Sequence, residues 1–191
     1  MSLDPLFFGY GSLVNLATHD YAMPRPARLY GWRRVWRHTS LRPVAYLSVE
    51  RAEGCVIEGL VAHVPGGDWA ALDAREAAYT RHDVTEQTHH DGPGNPVAVY
   101  QVHHGHLAPP RPDHPILLSY IDVVVQGYLR LFGQEGAEAF FATTHGWSSA
   151  IQDDRAAPVY PRSQRLTAEE TAFVDANLTR LRDKDPALRS V

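Results

Sequence analysis

The chain has 191 residues, of which 44% are hydrophobic and 21% are charged, so it can bury a core without disulfides or metals. Its formal net charge of −4 and its scattered arginines argue against a nucleic-acid partner or an anionic membrane. We therefore expect a small molecule as its partner.

The cysteine count and the first residues favour a cytoplasmic protein. The single cysteine, Cys55, cannot form an intrachain disulfide, and Asp4 and Pro5 stand where a secretory signal would be basic and then apolar. No uncharged apolar run approaches the ~20 residues of a membrane-spanning helix. We predict a single domain over residues 1–191, in which 146–191 form a loop and a C-terminal helix extension. The oligomeric state is not predicted.

An apolar strand near the N-terminus leads into a turn rich in glycine, at residues 7–13 (Phe-Phe-Gly-Tyr-Gly-Ser-Leu). The two aromatic residues favour a strand. Gly9 and Gly11 are expected to take positive φ angles, which would point successive backbone N–H groups into one concavity that receives an anion or a carbonyl oxygen. The alternative is a strand that simply ends in a tight bend.

Short strands follow. Residues 27–36, 44–49 and 55–64 have strand composition, with a turn predicted at Glu53 and Gly54. Asp68 is placed as the N-cap of a short alanine-rich helix over residues 69–79. Two further strands are predicted over residues 81–88 and 96–103.

The second half of the chain is predicted to be helical. Asp113 and Pro115 favour the start of a long helix that ends at Gly133, and a second helix follows over about 134–144. After a loop over 146–165, Thr167 and Glu170 form a capping-box pattern that begins the last helix. Because most strands precede most helices, the fold class is α+β rather than a doubly wound parallel sheet.

One carboxylate stands out on the short helix. At 100° per residue, Glu76 shares a sector of roughly a quarter turn with Trp69, Leu72 and Tyr79. If this face points inward, desolvation raises the pKa of Glu76 toward the range of a general acid/base. The alternative, equally compatible with the pattern, is that the alanine face is buried and Glu76 faces water.

Two motifs together carry a family resemblance. Residues 8–13 (Phe-Gly-Tyr-Gly-Ser-Leu) followed by 72–79 (Leu-Asp-Ala-Arg-Glu-Ala-Ala-Tyr) resemble the γ-glutamylcyclotransferase superfamily, nearest to its ChaC-type branch. The resemblance extends over about residues 6–103. It implies a mixed, barrel-like β-sheet with packed helices. It also implies cofactor-independent cyclisation of a γ-glutamyl group to 5-oxoproline, with release of an amine or an amino acid.

The resemblance also implies the site residues. The catalytic acid/base would be Glu76, and the substrate-binding residues would be Tyr10, Gly11, Ser12, Leu13, Tyr79 and Tyr100. The turn would hold the γ-glutamyl group through its backbone donors. This hypothesis requires the turn and the Glu76 carboxylate to face one cavity.

The chain departs from the ChaC pattern in two places. The span from Trp36 to Val44 is shorter, and residues 147–165 have no counterpart, so glutathione specificity is not carried over. We interpret the long loop as a surface cover. The alternative is that Arg155 or Arg162 reaches the pocket and selects the carboxylate of the leaving amine.

Eleven histidines raise the question of a metal. They include His89 and His90 at one end of a predicted hairpin and His103 and His104 at the other, but no cysteine or carboxylate cluster completes a ligand set, so no metal and no cofactor are predicted. The second function hypothesis is a non-catalytic domain that binds or senses a γ-glutamyl-like molecule. A purely structural module would give no reason for an inward glutamate.

Overall fold

Two long strands form the framework of the fold. In the computed structural model, which describes residues 4–184 apart from the side chain of Pro65, β2 and β3 pair antiparallel from Arg25↔Val61 to His38↔Ala45. The strands are β1 (Leu6–Gly9), β2 (Arg25–His38), β3 (Ala45–His63), β4 (Tyr79–Asp83), β5 (Thr88–His90), β6 (Val97–Val102), β7 (Ile116–Leu117), β8 (Thr144–His145) and β9 (Ile151–Gln152). The helices are α1 (Ala70–Arg75), α2 (Leu118–Thr143) and α3 (Ala168–Lys184).

The predicted turn at Glu53 and Gly54 is wrong, because β3 runs through it. Tyr30 pairs with Val56 whereas Trp32 pairs with Arg51, so residues 52–55 bulge opposite a single residue of β2. That residue is Gly31, at φ +76°, and Gly54 lies across from it at φ +75°. The glycine signal therefore marks a bulge in a continuous ladder.

The main sheet is mixed and open. Its strand order is β4-β6-β1-β3-β2-β5, with β8 also paired to β2, and the β1–β6 and β2–β8 pairs are parallel. The predicted α+β class with a mixed sheet and packed helices is confirmed. Closure into a barrel is not observed within residues 4–184, because β4 and β5 lie at opposite edges and do not pair with each other.

The segment between α1 and β6 differs from its prediction because its two parts pair with different strands, β6 and β2. The strand predicted over 81–88 is divided by a 3₁₀ turn at Thr85–Gln87, which sends β4 to β6 and β5 to β2. Asp83 Oδ1 accepts a hydrogen bond from the Thr85 backbone N–H at 2.9 Å and so stabilises this break. The helix predicted over 69–79 ends at Arg75, since Tyr79 already belongs to β4.

The long helix begins later than predicted. Ile116 and Leu117 pair with Ile151 and Gln152 in a small parallel sheet, and α2 starts at Leu118. Asp113 is not its cap, because its carboxylate pairs with Arg111 at 2.9 Å. The predicted boundary at Gly133, at φ +70°, is a break in helical geometry within a helix that continues to Thr143.

The helices cover the core side of the sheet. The centre of the apolar stripe of α2 is buried, including Ile121, Val124, Val125 and Tyr128, whereas Tyr120, Leu129 and Phe132 are half-buried; Val174 and Leu178 of α3 join the same cluster. The predicted capping box is present, with Thr167 N–H donating to Glu170 Oε2 at 2.9 Å and Glu170 N–H donating to Thr167 Oγ1 at 3.1 Å. No helix in the described part of the chain is long and apolar enough to cross a membrane. The assignment of residues 1–191 to one domain stays a prediction.

The loop before α3 is tied to the first turn of α2 by Asp154. This carboxylate accepts hydrogen bonds from the Ser119 backbone N–H at 2.8 Å, the Ser119 hydroxyl at 2.6 Å and the Val159 N–H at 2.8 Å. Burial by itself raises the pKa of Asp154, but the hydrogen bonds from Ser119 and Val159 outweigh burial and leave the pKa lowered.

Replacing Asp154 by alanine should lower the free energy of unfolding by about 3 kcal/mol at pH 7, because buried donors lose their acceptor. Since the folded-state pKa of Asp154 is depressed, its contribution is present above the unfolded-state pKa and is lost as the pH falls through the folded-state pKa. Urea denaturation at several pH values measures both effects. The matched control, Asp153→Ala on an exposed neighbour, should cost less than about 1 kcal/mol; equal losses would contradict the anchoring role.

Candidate active site

The turn after β1 is narrow. The expectation of positive φ at Gly9 and Gly11 is wrong, and Gly11 has φ −123°. Glycine is needed instead for close approach: a Cβ added at Gly9 would lie 2.8 Å from Leu13 Cβ, and one at Gly11 would lie 2.6 Å from Tyr120 Oη. These glycines therefore let a side chain reach the backbone of the turn.

A buried arginine holds the turn from behind. Arg34 is 1% exposed, and its Nε donates to the carbonyl oxygen of Tyr10 at 3.3 Å. Its terminal nitrogens donate to the Glu58 carbonyl oxygen, the Tyr128 hydroxyl and the Thr143 hydroxyl. The turn is thus fixed to β2, β3 and α2 together. In the sequence, Arg34 is a strand residue, and no pattern indicated that it would hold the turn.

The far end of the turn is attached to α2. Asn15 is 1% exposed, and its side-chain amide donates to the Val123 carbonyl oxygen at 2.9 Å and to Gln126 Oε1 at 3.0 Å. Gly127 allows this contact, since a Cβ there would lie 2.7 Å from the Asn15 backbone nitrogen. The turn is therefore held at both of its ends.

Glu76 lies just beyond the C-terminal end of α1, with its side chain 18% exposed. Its N–H still donates to the Leu72 carbonyl oxygen at 2.9 Å, so the carboxylate keeps nearly the direction that a longer helix would give it. Burial raises the pKa of Glu76, while the positive charges of Arg75 and Arg162 oppose this rise. Arg75 Nε lies 3.3 Å from Glu76 Oε1.

All seven residues proposed from the sequence line one pocket of about 30 Å³. Its lining residues are Phe8, Gly9, Tyr10, Gly11, Ser12, Leu13, Leu47, Glu76, Tyr79, Tyr100 and Tyr120. The turn and the Glu76 carboxylate thus face the same cavity, which is the geometric condition that the sequence hypothesis set. In the sequence, Phe8 and Gly9 stood out only as parts of the motif, and nothing pointed to Leu47 or Tyr120 as pocket residues.

The pocket wall is built from buried tyrosines whose hydroxyls bind the backbone or a carboxylate. Tyr10 donates to the Tyr100 carbonyl oxygen at 2.6 Å, and Tyr79 donates to the Leu47 carbonyl oxygen at 2.9 Å. Tyr100 donates to Asp73 Oδ1 at 2.5 Å. Burial raises the pKa of each of these three phenols, so they remain neutral near pH 7 and leave Glu76 as the acid in the pocket.

Tyr120 stands in front of the turn, although its place in the apolar stripe of α2 suggested only a core residue. Burial raises its pKa, and hydrogen bonding from the backbone and side chain of Ser12 acts in the opposite direction. A tyrosine in a buried stripe needs a partner for its hydroxyl, which is the signal that could have identified Tyr120.

The two arginines of the long loop have different surroundings. Arg155 makes a bidentate pair with Asp122, with both distances at 2.8 Å, and contacts Asp175 at 2.8 Å, so it anchors the loop and is not a pocket residue. Arg162 is exposed, and its charge lowers the pKa of Glu76. Within residues 4–184, no group of three or more His, Cys, Asp or Glu side chains could hold a metal ion.

Comparison with known proteins agrees with this geometry. A family model described as "Gamma-glutamyl cyclotransferase, AIG2-like" matches residues 7–119, a range that contains the turn and Glu76. The chain belongs to this family. The superfamily assignment made from the two sequence motifs is confirmed. A search of curated proteins finds no match.

Three solved structures share the fold. One titled "Gamma-glutamyl cyclotransferase" has 16% identity and a TM-score of 0.57, covering 91% of this chain and 99% of its own. An uncharacterized human protein has 16% identity and a TM-score of 0.57, with coverages of 90% and 98%. YkqA from Bacillus subtilis has 20% identity and a TM-score of 0.53, covering 71% of this chain and 52% of its own.

Replacing Glu76 by glutamine should stabilise the fold at neutral pH. Because the folded-state pKa of Glu76 is raised, the wild type loses stability as the pH rises from the unfolded-state value through the folded-state value. Glutamine does not titrate, so the Tm difference between Glu76→Gln and wild type should be positive at pH 7 and should shrink toward pH 4. Thermal melts at a series of pH values provide the measurement. A variant less stable than wild type at pH 7 would contradict the raised pKa.

The close approach of Tyr120 to Gly11 can be tested by a pair of substitutions. Gly11→Ala should lower the Tm, because the new Cβ would lie 2.6 Å from Tyr120 Oη and 3.2 Å from Leu47 Cδ2. Adding Tyr120→Phe removes the hydroxyl and should recover part of the loss, since the next ring atom, Tyr120 Cζ, lies 3.8 Å away. Strict additivity of the two changes would show that they do not interact.

Proposed function

We propose that this protein is a γ-glutamylcyclotransferase that converts the γ-glutamyl group of a small molecule to 5-oxoproline and releases an amine or an amino acid. What supports the proposal most is the placement of the Glu76 carboxylate and the Tyr10–Leu13 turn in one pocket. Membership of the γ-glutamyl cyclotransferase family supports the same chemistry.

The reaction we propose is intramolecular. The α-amine of the substrate attacks its own γ-carbonyl carbon, a new C–N bond closes the five-membered ring, and the original amide C–N bond breaks. Nucleophile and electrophile belong to one molecule, so the pocket has to fold the substrate into a geometry close to attack. The tyrosines of the pocket wall, whose hydroxyls are hydrogen bonded to the backbone and to Asp73, can hold the substrate in that geometry.

Glu76 is proposed to move the proton. Its carboxylate takes a proton from the α-ammonium group and returns it to the departing nitrogen. The ring nitrogen loses a second proton as the lactam forms, and this proton ends on the released amine, which leaves as an ammonium group, so Glu76 returns to its starting state. A raised pKa suits both directions of this transfer, because such a carboxyl group is a stronger base and still an effective acid near neutral pH. The backbone donors of the turn are proposed to hold the substrate's carboxylate or the oxygen of the γ-carbonyl.

A panel of γ-glutamyl amino acids, glutathione and γ-glutamylamines, assayed for 5-oxoproline, tests the proposal. We expect turnover of at least one compound and a loss of at least about 10²-fold in kcat for Glu76→Gln, which keeps the shape of the side chain but cannot take the proton. The matched control is Glu53→Gln, which neutralises an exposed carboxylate in the β3 bulge and should leave turnover unchanged.

Full turnover by Glu76→Gln would overturn its role. The second candidate, a non-catalytic domain that binds a γ-glutamyl-like molecule, is supported by the pocket alone. It predicts that glutamate or 5-oxoproline raises the Tm while no compound of the panel is turned over.

A further inference from the structure

The charge of Arg162 acts on the carboxyl group of Glu76, the residue proposed as the acid/base. Arg162 is exposed, and within residues 4–184 its guanidinium takes part in no ion pair or hydrogen bond. It lies in a turn closed by a hydrogen bond from the Ser163 N–H to the Tyr160 carbonyl oxygen at 3.1 Å. Exposed arginines without a partner are common, so the lack of a partner alone does not make Arg162 a binding residue.

The turn that carries Arg162 is packed against the pocket wall. The Tyr160 ring meets the Tyr120 ring edge to face, with centroids 4.9 Å apart, and Tyr120 itself lines the pocket. Upstream, Asp154 and Arg155 attach the same loop to the first turns of α2. The loop is therefore held on the side of the pocket where Tyr120 stands.

The other cations around the pocket already have partners. Arg75 pairs with Glu76 and donates to the Thr18 carbonyl oxygen at 3.3 Å, and Arg81 pairs with Asp73 at 3.1 Å. Arg162 differs, because its charge acts on Glu76 although the two side chains form no ion pair. A guanidinium in this position can accept an anionic group of a ligand without first giving up a protein partner.

We propose that Arg162 binds the α-carboxylate of the amino acid that leaves, and so selects γ-glutamyl amino acids over γ-glutamylamines. This inference rests on the proposed cyclotransferase function. Glu76 would protonate the leaving nitrogen, and in an α-amino acid the carboxylate is only two bonds from that nitrogen. The planar guanidinium matches a carboxylate in a bidentate arrangement.

The position of Arg162 makes the leaving group, and not the glutamyl end of the substrate, its expected binding partner. The turn after β1 forms the inner wall of the pocket and offers backbone donors to the glutamyl group. Arg162 is exposed and belongs to the turn that packs on Tyr120 through Tyr160, so we assign it to the side from which the departing part of the substrate would emerge. The anion that it meets there belongs to the part that is released.

Two substrates that differ only in charge test this inference: γ-glutamyl-alanine and γ-glutamyl-alaninamide. Arg162→Ala should lower kcat/KM for the acid by about 10- to 100-fold, the size expected for a charge-assisted pair, and should affect the amide much less. The ratio of the two kcat/KM values cancels their different leaving-group reactivities when the variant is compared with wild type. Arg162→Lys should recover part of the selectivity.

The matched control is Arg165→Ala, which removes an exposed arginine from the same loop and should leave the acid-to-amide ratio unchanged. A second measurement uses the pH profile for the amide. Removing the Arg162 charge should shift the acid limb of kcat/KM to higher pH, because that charge lowers the pKa of Glu76.

The outcomes separate the two levels of inference. If the wild type turns over neither substrate nor any other γ-glutamyl compound, the proposed function fails. If it turns over both substrates and Arg162→Ala changes them equally, or leaves both unchanged, the role of Arg162 fails while the cyclotransferase stands. A ratio that falls with Arg162→Ala and not with Arg165→Ala supports the inference.

Discussion

The buried guanidinium of Arg34 is the constraint on which the site depends. It has no carboxylate partner among the described residues, and its charge is solvated by carbonyl oxygens and hydroxyls from the β1 turn, β3 and α2. A buried charge of this kind is costly unless its donors are satisfied. The turn therefore cannot move away from the sheet without leaving a buried donor of Arg34 unpaired. These hydrogen bonds keep the backbone of the turn at the wall of the pocket.

The parts of the pocket have different origins along the chain. The turn, Glu76, Tyr79 and Tyr100 lie within the residues matched by the family model, 7–119, whereas Tyr120 and the loop that packs against it lie beyond. The chemistry we propose needs only the first group. The second group forms the wall where the released part of a substrate would lie, so differences in that wall change the choice of substrate and leave the proton transfer intact.

The charge state of Glu76 is a balance of opposing effects. Burial favours the neutral acid, and the charges of two arginines favour the anion, of which Arg75 is in contact with Glu76 and Arg162 is not paired with it. The surrounding phenols stay neutral and contribute dipoles without adding a second acid. A carboxyl group held between these influences can change its protonation state within one turnover, which is the property that a single acid/base residue requires.

The sequence by itself determined the fold class and the two motifs on which the proposed chemistry rests. The motif around Gly11 and the motif around Glu76 are local patterns, and both line one pocket, although their local geometry differs from the prediction: the glycines serve close approach, and Glu76 lies after the helix. The α2 stripe and the capping box of α3 are likewise set by neighbours a few residues apart, so periodicity predicts them.

Only the tertiary structure decided which distant residues meet. The bulge in β3 depends on its pairing with Gly31, the end of α1 depends on the ladder between β4 and β6, and the open sheet depends on where β5 pairs. Arg34 and Tyr120 are ordinary residues of a strand and a helix until those elements are packed together. Their roles come from contacts across as many as 109 residues, which no local pattern encodes.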